Sequence, residues 1–300
     1  MATDTNVGDR GARGLRAMGL SGGAQAVALA GSMSSSGVYR VRLAGRDAVL
    51  KVSEGEPAQR IEARRELRFY RDLAESIPLS TPQLLADADS EELTAMLLSV
   101  HRAAAPARTW ARSEWLEAAR QLAVLHSFEA PRRDPWIHAP WVRGVLDDPP
   151  AGMAIDHWSR TPAAGRAADL LDDPAALARA LDAGPAGFIH GDCHVDNLLR
   201  DGDRLVWADW QAAGVGTCGI DLAFLFGRAY ADGADPPVEA MVDEYVARRD
   251  VDPALLRRSM MAAELATLLF GWPAYMDHHT LYERDRITAR LVQLAGDWLS

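Results

Sequence analysis

The sequence predicts an α+β chain in two lobes: a small lobe of antiparallel strands with one helix over residues 1–100, a hinge over 101–106, and a larger, mostly helical lobe over 107–300. Three observations predict this. The first hundred residues carry period-2 alternation punctuated by turn residues. Beyond them, apolar residues recur at three- and four-residue steps. Between these helical stretches lies a run rich in potential oxygen ligands, HGDCHVDNLL, followed by a short hairpin pattern.

Composition narrows the partners. Apolar residues make up 48% of the 300 and charged residues 25%, an ordinary composition for a folded chain. The net charge is −10, and the excess is uneven: residues 1–100 hold 12 basic against 13 acidic side chains, and 101–300 hold 20 against 29. That balance speaks against nucleic acid and favours a cationic small molecule as partner. The two cysteines, Cys193 and Cys218, belong to no CxxC and read as free thiols of a reducing compartment. The first twenty residues contain no apolar signal-like run, and Met260 to Leu269 is interrupted by Glu264. A cytoplasmic protein without membrane contact, monomeric or homodimeric, is expected.

In chain order, residues 1–20 predict a frayed start with a short helix. Ser32 to Gly37 is a loop of small residues in which Ser34 and Ser35 add hydroxyl donors to backbone N–H groups, a composition suited to phosphate. Tyr39 to Leu43 and Ala48 to Val52 alternate around the turn Ala44–Asp47 and predict a hairpin. Pro57 opens a helix to about Glu75, with Glu62, Glu66, Phe69, Tyr70 and Leu73 on one face. Pro82 to Ala86 and Leu93 to Val100 read as two further strands. The stretch from Ser99 to Pro106 is extended and weakly patterned, and its backbone can face an adenine edge. Helices follow over Ser113–Glu129 and Pro174–Asp182, separated by an irregular Pro- and Trp-rich segment, 131–160. Three more are predicted over Pro237–Arg249, Pro253–Met276 and Leu281–Leu299. Glu239, Asp243, Glu244, Glu264, Asp277 and Glu283 are candidates for an acidic pocket wall, with most of them expected simply to be solvated.

One count carries chemistry: 31 of the 32 basic residues are Arg, and the single lysine is Lys51. It lies in AVLKV, a strand-like run where a buried charge needs a partner. A lysine is a compact point charge, and Arg does not replace it where an ammonium must touch phosphate. Glu66, with Phe69 and Tyr70 one turn on to bury the contact, is the expected partner; pairing with Arg65 or Arg68 on the helix surface is the alternative.

The second chemical signal is the oxygen-ligand run. Asp192 and Asn197 are five residues apart, and Asp209 follows twelve later. The turn Asp201–Asp203 lies between apolar runs, so the chain folds back and brings Asn197 and Asp209 together. An amide oxygen beside a carboxylate suits Mg²⁺, which keeps waters and takes further oxygens from phosphates. Asp192 is then free to accept a hydroxyl proton, and His190 positions the loop. H-x-D-x-x-x-x-N followed by a metal-binding Asp is the catalytic-loop pattern of kinases. Asp221, opening DLAFLF, is placed as a helix N-cap that braces this loop.

With these residues in hand, the chain resembles the aminoglycoside phosphotransferase and choline kinase-like family. GSMSSSGVYR, Lys51, Glu66, HGDCHVDN, DWQ and DLAFLF stand in that family's order over roughly residues 25–230. The resemblance implies a bilobal protein kinase-like fold and an ATP- (or GTP-) and Mg²⁺-dependent O-phosphotransferase. It further implies that Ser34 touches nucleotide phosphate and that the backbone around Ser99 to His101 holds adenine. It points to a cationic, hydroxylated substrate such as an aminoglycoside or another antibiotic, with a choline-, amino alcohol- or sugar-like metabolite as the alternative. Two readings come from other classes. His190, Asp192, His194 and Asp196 could serve a metal-dependent hydrolase, although that leaves Lys51 without a role. A catalytically silent nucleotide-binding scaffold would not need the complete catalytic loop.

Overall fold

A computed structural model describes residues 4–20, 25–29, 37–55, 57–139 and 141–300. Its contacts divide into two compact units, Met1–Ala103 with Leu198–Ala212, and Ala104–Asn197 with Ala213–Ser300.

The first unit contains α1 (Asp4–Ala17), β1 (Gln25–Ala28), β2 (Gly37–Leu43), β3 (Arg46–Glu54), α2 (Pro57–Asp72), β4 (Leu84–Asp89), β5 (Leu93–Ser99) and β6 (Arg102–Ala103). The first five strands form one antiparallel sheet in the order β1-β2-β3-β5-β4. Its alternation does the sorting: Tyr39, Val41, Ala48, Leu50, Val52, Ala95 and Leu97 cluster on one face with Leu15 of α1. Lys51, paired in register with Val38 and Met96, points to the opposite face, toward α2. A slip of one residue would send Lys51 into the apolar cluster instead. α1 is longer than the short helix expected, because Leu15 buries itself on the sheet. β1 had no clear sequence signal; its four residues gain their hydrogen bonds from β2.

The fold-back after the catalytic run is real: β8 (Leu198–Asp201) pairs with β9 (Arg204–Trp207), Leu198 opposite Trp207. This hairpin adds to β6 through Arg102 opposite Arg200, and Trp207 donates its N–H to the Ser80 carbonyl at 2.8 Å. These contacts group 198–212 with the first unit, whereas the sequence expectation carried it with the larger lobe.

The second unit is mostly helical: α3 (Arg112–Leu125), α4 (Trp141–Asp147), α5 (Ala151–Trp158), α6 (Ala164–Leu171) and α7 (Pro174–Asp182) precede β7 (Ala186–Ile189). After the hairpin come β10 (Gly214–Thr217), α8 (Gly219–Ala231), α9 (Val238–Val246), α10 (Pro253–Ala266) and α11 (Leu281–Leu299). β7 pairs with β10. The segment 131–160 is not the irregular loop expected: it contains α4 and α5, and Trp136 and Trp158 are fully buried anchors. α10 also ends earlier than expected, passing through a π-helical stretch at Thr267–Gly271 into short 3-10 turns, where Pro273 lacks the N–H that a continuing helix needs. Among the described residues no helix is long and apolar enough to cross a membrane. Cys193 and Cys218 are buried and unbridged.

Candidate active site

In the first unit, three charged side chains converge. Lys51 Nζ donates to both oxygens of Glu66, at 2.8 and 2.6 Å, and to Asp209 Oδ1 at 3.1 Å. The side chains are 13%, 2% and 25% exposed, so Asp209 is the member with most access to solvent. Burial opposes the lysine's charge, yet Asp209 and Glu66 outweigh it and hold the ammonium above the ordinary lysine value. Glu66 is pushed above the usual carboxylate range by burial, with Lys51 pulling it down and Asp209 pushing it up. Two carboxylates facing one ammonium leave excess negative charge, which suits an arriving cation.

Packing holds this group. Phe69 of α2 stacks on Trp210, ring centres 4.1 Å apart and planes within 6°, and Trp210 Nε1 donates to the Trp207 carbonyl at 2.8 Å. Asp209 sits between these anchors with φ +67°, a left-handed conformation uncommon outside glycine. Ser99 ends β5 with its N–H on the Gln83 carbonyl (2.9 Å); its hydroxyl accepts from Gln83 N–H (2.8 Å) and bonds His101 Nε2 (2.9 Å). The Ser99 side chain and N–H are therefore engaged within the first unit. Ser34 and Ser35 lie outside the described residues.

In the second unit, β7 leads into the catalytic loop. Asp221, the third residue of α8, accepts from His190 N–H at 2.7 Å and Gly191 N–H at 2.8 Å. Its Oδ2 also meets His126 Nε2 at 3.0 Å, while His126 Nδ1 meets the Tyr245 hydroxyl at 2.8 Å. Asp221 braces the loop as expected, but it is not the N-cap, which is Cys218. Burial would raise the Asp221 carboxyl; hydrogen bonding and charge from His126 outweigh it and hold it below the usual range. Burial likewise disfavours a charged His126, and Tyr245, Cys218 and Asp221 together reverse that, holding its value well above ordinary histidine. Gly191 has φ +82°, a turn that frees the next side chain.

Asp192, 29% exposed, follows this turn. Asn197 Nδ2 donates to the Asp192 carbonyl at 2.8 Å and to Asp192 Oδ2 at 3.3 Å. With its nitrogen committed, the amide has its oxygen left to ligate. Asn197 immediately precedes β8 and Asp209 follows β9 by one residue. Taken each by itself, an amide oxygen and a carboxylate are donor types that suit a hard cation such as Mg²⁺.

Among the described residues there is no group of three or more His, Cys, Asp or Glu placed to hold a metal, so the His190, Asp192, His194, Asp196 cluster of the hydrolase reading does not assemble as one. Most of the acidic side chains named for a pocket wall pair with arginines instead. Glu264 is buried against Arg290 (2.7 Å), Glu239 and Asp243 face Arg257, and Glu244 faces Arg120 and Arg248. Glu283 lines a cavity of about 210 Å³ within the second unit; Asp196, Asp232 and Arg108 share that lining. Sequence reasoning missed Asp232, which ends α8 without a motif around it. Burial raises its pKa, with Arg228 opposing and Asp196 and Glu283 adding to it.

Comparison with known proteins bears on the family and the fold. A model of the phosphotransferase enzyme family matches residues 26–260. No curated protein matches the chain. Among solved structures, a microcompartment-associated aminopropanol kinase superposes with a TM-score of 0.66 at 20% identity, covering 92% of this chain and 93% of that one. A choline kinase from Cryptosporidium parvum Iowa II gives 0.65 at 13%, covering 92% and 90%. An aminoglycoside-3'-phosphotransferase of type VIII gives 0.59 at 22%, covering 85% and 98%. These likenesses show the protein kinase-like fold. With that fold, and with a family model that spans most of its length, the chain belongs to the phosphotransferase enzyme family and is a small-molecule phosphotransferase.

Proposed function

We propose that the protein is an ATP- and Mg²⁺-dependent O-phosphotransferase whose acceptor is a hydroxyl of a small, cationic molecule, with GTP as an alternative donor. The observation that carries this reading is the chain's only lysine, Lys51, clamped by Glu66 and touching Asp209. Such an ammonium, aimed by a buried carboxylate, suits the α- and β-phosphates of a nucleotide. The loop with Ser34 and Ser35 would add phosphate donors, and the backbone around Ser99 to His101 would meet adenine.

Asn197 and Asp209 would hold Mg²⁺, which when bound neutralises charge on the phosphates. Asp192 orients the acceptor hydroxyl and takes its proton as the new O–P bond forms and the bond to the β–γ bridging oxygen breaks, releasing ADP. His190 and Asp221 keep the loop in place. The protein's work is positioning and charge compensation.

The negative charge of the chain supports this acceptor class, as do the molecules the compared proteins are named for: aminopropanol, choline and aminoglycosides all join a cationic nitrogen to a hydroxyl. An aminoglycoside or related antibiotic, inactivated by phosphorylation, is the proposed substrate; an amino alcohol or sugar-like metabolite is the second reading. We place the reaction in the cytoplasm, in a monomer or homodimer.

A coupled ADP-release screen over aminoglycosides, other antibiotics, amino alcohols and sugars tests the function, and resistance profiling of expressing cells separates the two substrate readings. Asp192→Ala should lower turnover by about 10³-fold while the thermal shift with Mg-ATP persists. Near-normal turnover in that variant would overturn the assignment.

A further inference from the structure

We propose that His194 is a positioning residue for Asp192, itself held by Asp196 and Arg228. This rests on the reading of Asp192 as the acceptor-facing group and deepens it. His194 lies two residues beyond Asp192 in the catalytic loop, with its imidazole between two carboxylates. Nε2 is 3.7 Å from Asp192 Oδ1, and Nδ1 is 3.5 Å from Asp196 Oδ2. Arg228 of α8 reaches the same Asp196 oxygen at 3.5 Å, and its guanidinium stands 5.4 Å from the centre of the Trp272 ring.

The two oxygens of Asp192 thus have different neighbours. Oδ2 receives the long 3.3 Å bond from Asn197, and Oδ1 faces His194. One long hydrogen bond does not fix a carboxylate rotamer; a second polar neighbour at the other oxygen restricts rotation about the Cβ–Cγ bond. Near-attack geometry is sensitive at this scale, since misplacement by about 1 Å can cost on the order of 100-fold.

The contrast with His126 supports a role beyond packing. His126 satisfies both ring nitrogens, at 2.8 and 3.0 Å, as a buried structural histidine should. His194 Nδ1 is buried without a hydrogen bond, although the side chain is only 17% exposed. An imidazole kept for packing alone would gain little from such placement. Here the flanking polar groups aim it, with the Arg228 and Asp196 pair at one edge and Asp192 at the other.

The test exploits the two edges of the ring. His194→Ala, His194→Gln and His194→Asn are compared by ADP release with water alone as acceptor and with choline, aminopropanol and hygromycin B, alongside thermal unfolding. Glutamine places its amide nitrogen near Nε2, and asparagine near Nδ1. His194→Ala should lower kcat about tenfold with every acceptor used and with water, leaving KM for Mg-ATP within about twofold. His194→Gln should restore most of that loss, and His194→Asn should not. Parental kcat in His194→Ala, equal behaviour of the Gln and Asn variants, or a change confined to KM would overturn the proposal. Should one variant unfold, the comparison of the remaining pair at matched stability still decides. An inactive Asp192→Ala beside a fully active His194→Ala removes this inference alone; an active Asp192→Ala removes the proposed function with it.

Discussion

The two units each contain a buried ionic group, built on opposite principles. Around Asp221 every partner is closed in: His126, His190 N–H and Gly191 N–H all meet it at 2.7–3.0 Å, and neither Asp221 nor His126 has measurable side-chain exposure. Around Lys51 the group is open and carries more negative than positive charge, with Asp209 reachable from solvent in a left-handed backbone. A fully matched network holds backbone in place. A group with one solvent-reachable member leaves that member, here Asp209, accessible.

That contrast can be broken most strongly at Asp221. Asp221→Asn should lose about 1–3 kcal/mol of stability by denaturant unfolding, because an amide NH2 in place of one carboxylate oxygen leaves the buried His190 or Gly191 N–H without an acceptor. Lys51→Met should do the reverse: kcat/KM for ATP falls about 100-fold, while the denaturant midpoint moves much less, since Glu66 can neutralise itself by taking a proton. Lys51→Arg should not restore activity, because a wider guanidinium cannot replace a point charge between two carboxylates. Equal stability losses at Asp221 and Lys51 would erase the distinction.

A pH series sharpens it further. The folded pKa of Asp221 lies below its unfolded value, so its contribution is present above the usual carboxylate range and is lost as pH falls through the folded value. His126 runs the other way: its contribution is complete below the ordinary histidine value and is lost as pH rises through the raised one. Wild-type stability should therefore decline on both sides, and His126→Gln should flatten the alkaline decline. The smallest effect is expected at Phe69. Phe69→Leu removes the stack on Trp210, at about 1 kcal/mol beyond lost area, with a modest fall in turnover through Asp209.

Much of this was legible because it is local. The hairpin over 198–207, the α2 face carrying Glu66 with Phe69 and Tyr70, and the parity that puts Lys51 opposite Leu50 all follow from periods of two and of three to four. Other features depend on distant partners. Nothing near Asp221 announces that its carboxylate serves His126, 95 residues earlier in the chain, and not the first turn of its own helix. The helices within 131–160 were hidden by Pro and Trp, whose burial at Trp136 and Trp158 is a tertiary event. The burial of Glu264 is of the same kind: its partner, Arg290, stands on another helix.

The sequence by itself determined which groups the chain can offer: one ammonium, a catalytic-loop spacing, and an amide and carboxylate on either side of a hairpin. These depend on residue type and local period, which neighbours in the chain settle. Only the tertiary structure decided which charges meet, as Glu66 and Asp209 do at Lys51. The cost of burying a charge is set by what surrounds it in space, and those surroundings come from segments far apart in the chain.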